Sequence, residues 1–179
     1  ILEDDVDLSD EFKDLLFDKS WIPKGAELIK LEKFAPTKIS KILVGKSLSQ
    51  ALNKTRNVHK MYSRHTGAAA YLLSVNGADK LLKWNLKYTV PVDHILFNET
   101  VSKLSTSLAP MILIPPIAWQ SDEVGQGSNI VGSYKLNPIS KSKKLMRSIK
   151  RAYYESRLWP YQLFVLIFGI AKLISIDKK

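Results

Sequence analysis

The sequence predicts an α/β domain over residues 1–138 followed by a basic, apolar helical tail over residues 139–179. Three observations predict it: short apolar runs alternate with helix-spaced segments, turn-forming residues separate them, and the positive charge is concentrated at one end. Residues 1–138 hold 17 Lys and Arg against 15 Asp and Glu, whereas residues 139–179 hold 10 against 2, so the tail carries +8 of the net +10.

With 179 residues, 45% of them apolar and 25% charged, the chain is long enough and apolar enough for one packed domain. Ile1-Leu2 reads as the end of a buried strand, and without an initiator Met the chain is expected to be part of a longer protein. Its first stretch is acidic where a signal peptide would be basic and then apolar. Ser9 is placed as the N-cap of a helix with Phe12, Leu15 and Leu16 on one face, and acids in its first turn suit the helix dipole. Trp21-Ile22-Pro23-Lys24-Gly25 ends that helix, and residues 26–31 alternate as a strand. Ile42-Leu43-Val44 reads as another short strand, while residues 45–65 are polar and basic without an assignable pattern. Residues 69–73 form a compact apolar run, after which Ser74 caps a helix carrying Ala78, Leu81, Leu82 and Trp84. Pro91 opens a segment in which Val92, Ile95, Leu96 and Phe97 predict a helix starting near Asp93. Met111–Ile114 reads as a buried strand ended by Pro115-Pro116. Strands and helices in alternation predict a mainly parallel sheet. Residues 120–138, rich in Gly, Ser and Asn, form a loop or linker.

In the tail, Lys143, Lys144, Arg147, Lys150 and Arg151 gather on one side of a helical wheel, with Leu145, Met146, Ile149 and Tyr153 on the other. Trp159-Pro160-Tyr161 then leads into the apolar run 163–171. Residues 158–176 are interrupted by Pro160, Gln162 and Lys172 and fall short of the roughly 20 apolar residues of a spanning helix. Residues 141–176 therefore read as a segment lying on an anionic membrane surface. An amphipathic helix packed on the domain or on a second subunit is the alternative. Basic charge also suits nucleic acid, but no nucleic-acid motif accompanies it and the apolar run suits lipid better, so no nucleic-acid partner is expected.

The absence of cysteine excludes disulfides, thiolate metal sites and cysteine nucleophiles. Glu3-Asp4-Asp5, directly after an apolar strand end, places carboxylates at the mouth of a sheet, where ligands of open α/β folds bind. Carboxylate oxygens suit Mg²⁺ or Mn²⁺ bridging to substrate phosphates. The same acids, with Asp7, Asp10 and Glu11, also read as a solvated helix N-terminus. Asp93, at a helix start, is a fixed carboxylate able to deprotonate or orient an acceptor hydroxyl, or simply an N-cap. His65 and His94 show no metal-ligand spacing and read as surface or satisfied polar residues.

Leu2-Glu3-Asp4-Asp5-Val6, then Thr66-Gly67-Ala68-Ala69-Ala70-Tyr71-Leu72-Leu73-Ser74 with Gly77-Ala78 and Leu81-Leu82, then Pro91-Val92-Asp93, resembles the ordered motif set of glycosyltransferase family 25. That family includes bacterial lipooligosaccharide galactosyl- and glucosyltransferases and the collagen galactosyltransferases. The resemblance spans residues 1–130, with residues 115–120 similar to the family's closing segment. It implies a partial GT-A-like (Rossmann-like) domain that moves galactose or glucose from a UDP-sugar to a lipopolysaccharide or lipooligosaccharide core hydroxyl, with inversion and Mn²⁺ or Mg²⁺ assistance. It implies Glu3, Asp4 and Asp5 as the metal and diphosphate site, with Glu3 and Asp5 as metal ligands, and Asp93 as the base or acceptor-orienting residue. Thr66, Gly67, Tyr71 and Gln120 become candidate substrate contacts, although the small residues of 67–74 also suit close strand-helix packing. A lipid-linked oligosaccharide acceptor would share the membrane surface with the enzyme, which implies a peripheral protein on the cytoplasmic face of a bacterial inner membrane. The family's N-terminal half, with most of the nucleotide pocket, is expected to lie upstream of this sequence. A non-catalytic remnant or a membrane-surface interaction module is the competing reading.

Overall fold

Apolar residues at successive positions of a strand reach both faces of a sheet, so a sheet built from such runs must be covered on both sides. The computed structural model describes residues 1–33, 40–65, 67–84, 91–120 and 141–176. Its strands are β1 (Val6–Leu8), β2 (Leu28–Lys30), β3 (Glu32–Lys33), β4 (Ser40–Ala51), β5 (Arg56–Met61), β6 (Tyr71–Leu73), β7 (Met111–Ile114), β8 (Ala118–Gln120) and β9 (Ala171–Ile176). Its helices are α1 (Phe12–Phe17), α2 (Val75–Lys83), α3 (Val92–Phe97), α4 (Lys103–Leu108), α5 (Lys141–Ser156) and α6 (Trp159–Ile167).

The larger sheet has six strands in the order β6-β2-β7-β5-β4-β9, and a smaller one has the order β1-β8-β3. In the larger sheet only β2 and β7 run parallel, and every other neighbouring pair is antiparallel. The sheet is therefore not mainly parallel, and the reason lies in residues 45–65. They form most of a long antiparallel hairpin, β4–β5, turned through Leu52, Asn53 and Lys54, all at positive φ. Polar side chains on its exposed stretch masked the strand signal.

One face of the large sheet carries Leu28, Ile42, Val44, Met61, Tyr71 and Ile112, covered by Ile95, Leu96 and Phe97 of α3 and Leu104 and Leu108 of α4. The other face carries Ile29, Val58 and Leu113, covered by Leu15 of α1, Trp21 and the smaller sheet's Ala118. Lys30 and Glu32 lie within this interior, each fully buried.

Local sequence signals fare unevenly. Ser74 Oγ accepts from Gly77 N at 3.0 Å and starts α2 as expected. Ser9 sits two residues before the N-cap of α1, Glu11, and its Oγ accepts from Glu11 N at 3.3 Å. Leu16, grouped with Phe12 and Leu15 on one helix face, is exposed while Leu15 is buried, and Leu82 of α2 is exposed. Ile1 and Leu2 are exposed as well, although Leu2 bridges Ala70 in the antiparallel sense.

The apolar run of the tail divides in two. Residues 159–167 form α6, Gly169 turns the chain at φ +64°, and β9 pairs antiparallel with β4 from Ser40↔Ile176 to Gly45↔Ala171. Among the described residues no helix is long and apolar enough to cross a membrane. Leu145, Met146, Ile149 and Tyr153 of α5 are exposed. The side chains of Lys143, Lys144, Arg147, Lys150 and Arg151, and the linker residues 121–138, lie outside the described residues.

Candidate functional site

Backbone pairing brings the first two sequence motifs together. Tyr71 N donates to Ile1 O at 3.1 Å and Glu3 N donates to Ala69 O at 2.8 Å, so residues 1–3 run antiparallel along residues 69–71. The chain then turns through Asp4 and Asp5 into β1, whose Val6 stands in register with Gln120 of β8. The backbone of residues 1–3 is thus held by pairing with residues 69–71, and all three acidic residues, Glu3, Asp4 and Asp5, are exposed. Glu11, the acid at the start of α1, is instead engaged by Arg56, whose guanidinium also donates to Pro115 O at 3.1 Å and Pro116 O at 2.8 Å.

Behind the acidic turn lies a buried ionic cluster. Lys30 Nζ donates to Glu32 Oε1 at 2.7 Å and to the Gly67 carbonyl, and it stands 4.5 Å from the centre of the Phe97 ring. Glu32 Oε1 also accepts from Ala69 N at 2.9 Å. Burial pushes the Lys30 ammonium below the usual lysine range, and the Glu32, Asp93 and Glu3 carboxylates oppose that shift. Lys33 is buried beside them. Burial, then the Lys30 and Lys33 ammoniums, holds the His65 imidazole down at about 3, so it is neutral near pH 7. His65 is therefore an interior residue and not a surface one, and its Nδ1 has no hydrogen-bond partner among the described residues.

The third motif closes on the second. Asp93 lies in the first turn of α3, with Pro91 at the N-cap, so it does not act as the cap itself. Its Oδ2 accepts from Gly67 N at 3.1 Å and its Oδ1 from His94 N at 2.9 Å. Each carboxylate oxygen keeps a second lone pair for a further donor. Gly67, at φ +90°, thereby gives its amide to Asp93 and its carbonyl to Lys30. Both polar groups are spent on holding the site, which matches a packing and positioning use of this glycine.

The remaining residues singled out in the sequence divide by position. Tyr71 is buried with its ring edge-on to Phe97, centroids 6.1 Å apart, and burial followed by the Glu3 carboxylate raises its phenol pKa. Gln120 is placed by its backbone next to the acidic motif, its side chain lying outside the described residues, as does Thr66 entirely. His94 Nδ1 is 3.0 Å from Asn98 Nδ2. Sequence reasoning missed Lys30, Glu32 and Lys33. The available signal was the i, i+2 spacing of Lys30 and Glu32 at the end of an apolar strand, which puts both on one side of the chain.

Among the described residues no three His, Asp or Glu side chains are arranged to hold a metal ion by themselves. The exposed Glu3 and Asp5 carboxylates nonetheless supply the hard oxygens with which Mg²⁺ or Mn²⁺ is held by one or two protein ligands together with substrate phosphates. Residues of this type would hold an ion only together with a phosphorylated substrate, since the described residues form no all-protein cage.

The family model of glycosyltransferase family 25 (LPS biosynthesis protein) matches residues 1–96 of the 179, just over half of the chain and all three of these motif segments. No curated protein and no solved structure matched the chain. The chain belongs to glycosyltransferase family 25.

Proposed function

We propose, from membership of this family, that the protein transfers galactose or glucose from a UDP-sugar to a core hydroxyl of lipopolysaccharide or lipooligosaccharide with inversion. The observation that carries the reading is the convergence of the three motifs: Glu3 on Ala69, Gly67 on Asp93, and Lys30 and Glu32 between them. In this reading Glu3, Asp4 and Asp5 face the diphosphate of the donor. A divalent ion held by Glu3, Asp5 and the diphosphate would stabilise charge on the leaving group. Asp93 accepts the proton of the acceptor hydroxyl as its oxygen bonds to the sugar's anomeric carbon and the bond to UDP breaks, a single displacement that inverts the centre. The two backbone donors on Asp93 fix the carboxylate so that little reorganisation accompanies the step.

The acceptor is proposed to be a lipid-linked oligosaccharide, met at the cytoplasmic face of a bacterial inner membrane to which residues 141–176 bind peripherally. The +8 charge of residues 139–179 and the exposed apolar side chains of α5 and α6 support that placement. Proton NMR of the product formed from UDP-galactose or UDP-glucose on a deacylated core acceptor tests the reading. A β-linked product, lost in Asp93→Asn, is expected from the α-configured donors. An α-linked product, or unchanged turnover in Asp93→Asn, contradicts the assignment.

A further inference from the structure

Helix α6 buries only Val165, against Leu43 and Ala171, and leaves the rest of an apolar surface open. Between α6 and the adjoining face of β4 and β9 lies a trough of about 360 Å³, walled by Leu43, Leu163, Leu166, Leu173 and Trp159. This is within the size of small-ligand pockets, roughly 300–1,000 Å³. Trp159 is 60% exposed, Leu163 55% and Leu173 59%, so the trough opens to solvent along an apolar rim.

At one end the trough continues into a polar hollow of about 220 Å³, with which it shares Lys41, Ser63, Trp159 and Gln162. Gln162 is pinned there by its Nε2 donating to Tyr62 O at 3.0 Å. Arg64 in the hollow is paired with Glu155 at 2.6 Å, whereas Lys41 makes no ion pair among the described residues. An apolar channel ending at a lysine and a hydroxyl has the polarity of an amphiphile with an anionic head. Thr100, in the turn that follows α3, walls the polar end, which places it near the helix that carries Asp93.

We propose that this groove seats one anionic phospholipid of the bilayer, its acyl chain along Leu163, Leu166 and Leu173 and its phosphate at Lys41 and Ser63. The proposal deepens the membrane attachment described above and rests on it. Trp159, which walls both the trough and the hollow, is of the type enriched at membrane-water interfaces, and Tyr161, 46% exposed, lies two residues on in the same helix. A bare electrostatic attachment would need neither the trough nor Lys41.

The test uses the whole chain in two measurements. Calorimetry follows monomeric lysophosphatidylglycerol below its micelle concentration, with lysophosphatidylcholine as the neutral control, and sedimentation follows phosphatidylcholine vesicles with and without phosphatidylglycerol. Saturable binding of the anionic lysolipid is expected, weakened tenfold or more by Lys41→Glu and by Trp159→Ser and unchanged by Leu82→Ser on α2. Melting curves establish that each variant is folded. Vesicle binding without lysolipid binding, or lysolipid binding that survives both groove substitutions, overturns the groove and leaves peripheral attachment standing. Failure to bind anionic vesicles at all overturns both, and a dimer that closes the groove with no lysolipid uptake assigns the surface to a second copy instead.

Discussion

Lys30 and Glu32 form an ion pair at 2.7 Å with neither side chain exposed, and such a pair contributes little net stability while being costly to break on one side only. Lys30→Met leaves the Glu32 carboxylate buried without its cation and is expected to cost about 3–5 kcal/mol in urea unfolding. Lys30→Met with Glu32→Leu is expected to be more stable than Lys30→Met alone, although the Ala69 amide then loses its acceptor. A double variant no better than the single one would show that the pair is not the relevant unit. His65 gives a pH signature with a definite sign. Its folded pKa of about 3 lies below the ordinary histidine value of 6.5, so the unfolded chain binds the proton more readily. Its contribution is complete above pH 6.5 and is lost as pH falls through 3, by about 5 kcal/mol in total. Thermal melts from pH 7 to pH 4 are expected to fall less steeply in His65→Gln than in the parent protein, and identical slopes would contradict the assignment.

At the scale of elements, the second motif's glycine Gly77 is held by packing. A Cβ there would stand 2.8 Å from the Glu27 carbonyl oxygen and 2.9 Å from Leu73 Cδ1. Alanine would gain about 1 kcal/mol of helix propensity in α2, yet the collision with a main-chain carbonyl outweighs it. Gly77→Ala is expected to lower stability by about 1–3 kcal/mol in denaturant unfolding, and a more stable variant would show that β2 yields at Glu27. The same elements show what a sequence discloses. Ser74, the α3 segment and Met111–Ile114 were legible because each carries a local signal: a capping hydroxyl, a proline start, or an apolar run closed by two prolines. The β4–β5 hairpin was not, since its exposed half is polar and its turn through Leu52, Asn53 and Lys54 contains no glycine or proline. The candidate site was legible as three motifs, but their joining was not. The burial of Lys30 and Glu32 follows only once β2 and β3 are known to be covered by other elements, which no local signal in residues 28–33 shows.

For the whole molecule, the C-terminal residues both carry charge and complete the sheet. β9 pairs with β4 over Ser40↔Ile176 to Gly45↔Ala171, and Ile174 and Ile176 join the principal core. Removing residues 141–179 is therefore expected to lower the melting temperature and promote aggregation through the bared β4 edge, whereas unchanged stability by calorimetry would make these residues an appendage. In the proposed function Glu3-Asp4-Asp5 and Asp93 belong to one nucleotide-sugar site. The most direct test is turnover of a UDP-sugar panel with and without Mn²⁺ by the parent protein and the Asp5→Ala and Asp93→Ala variants, each verified as folded by circular dichroism. Metal-dependent turnover of UDP-galactose or UDP-glucose is expected, falling at least a hundredfold in both variants, about 2.7 kcal/mol of transition-state stabilisation. Turnover that persists in either variant, or no turnover of any donor by the folded parent protein, would contradict it.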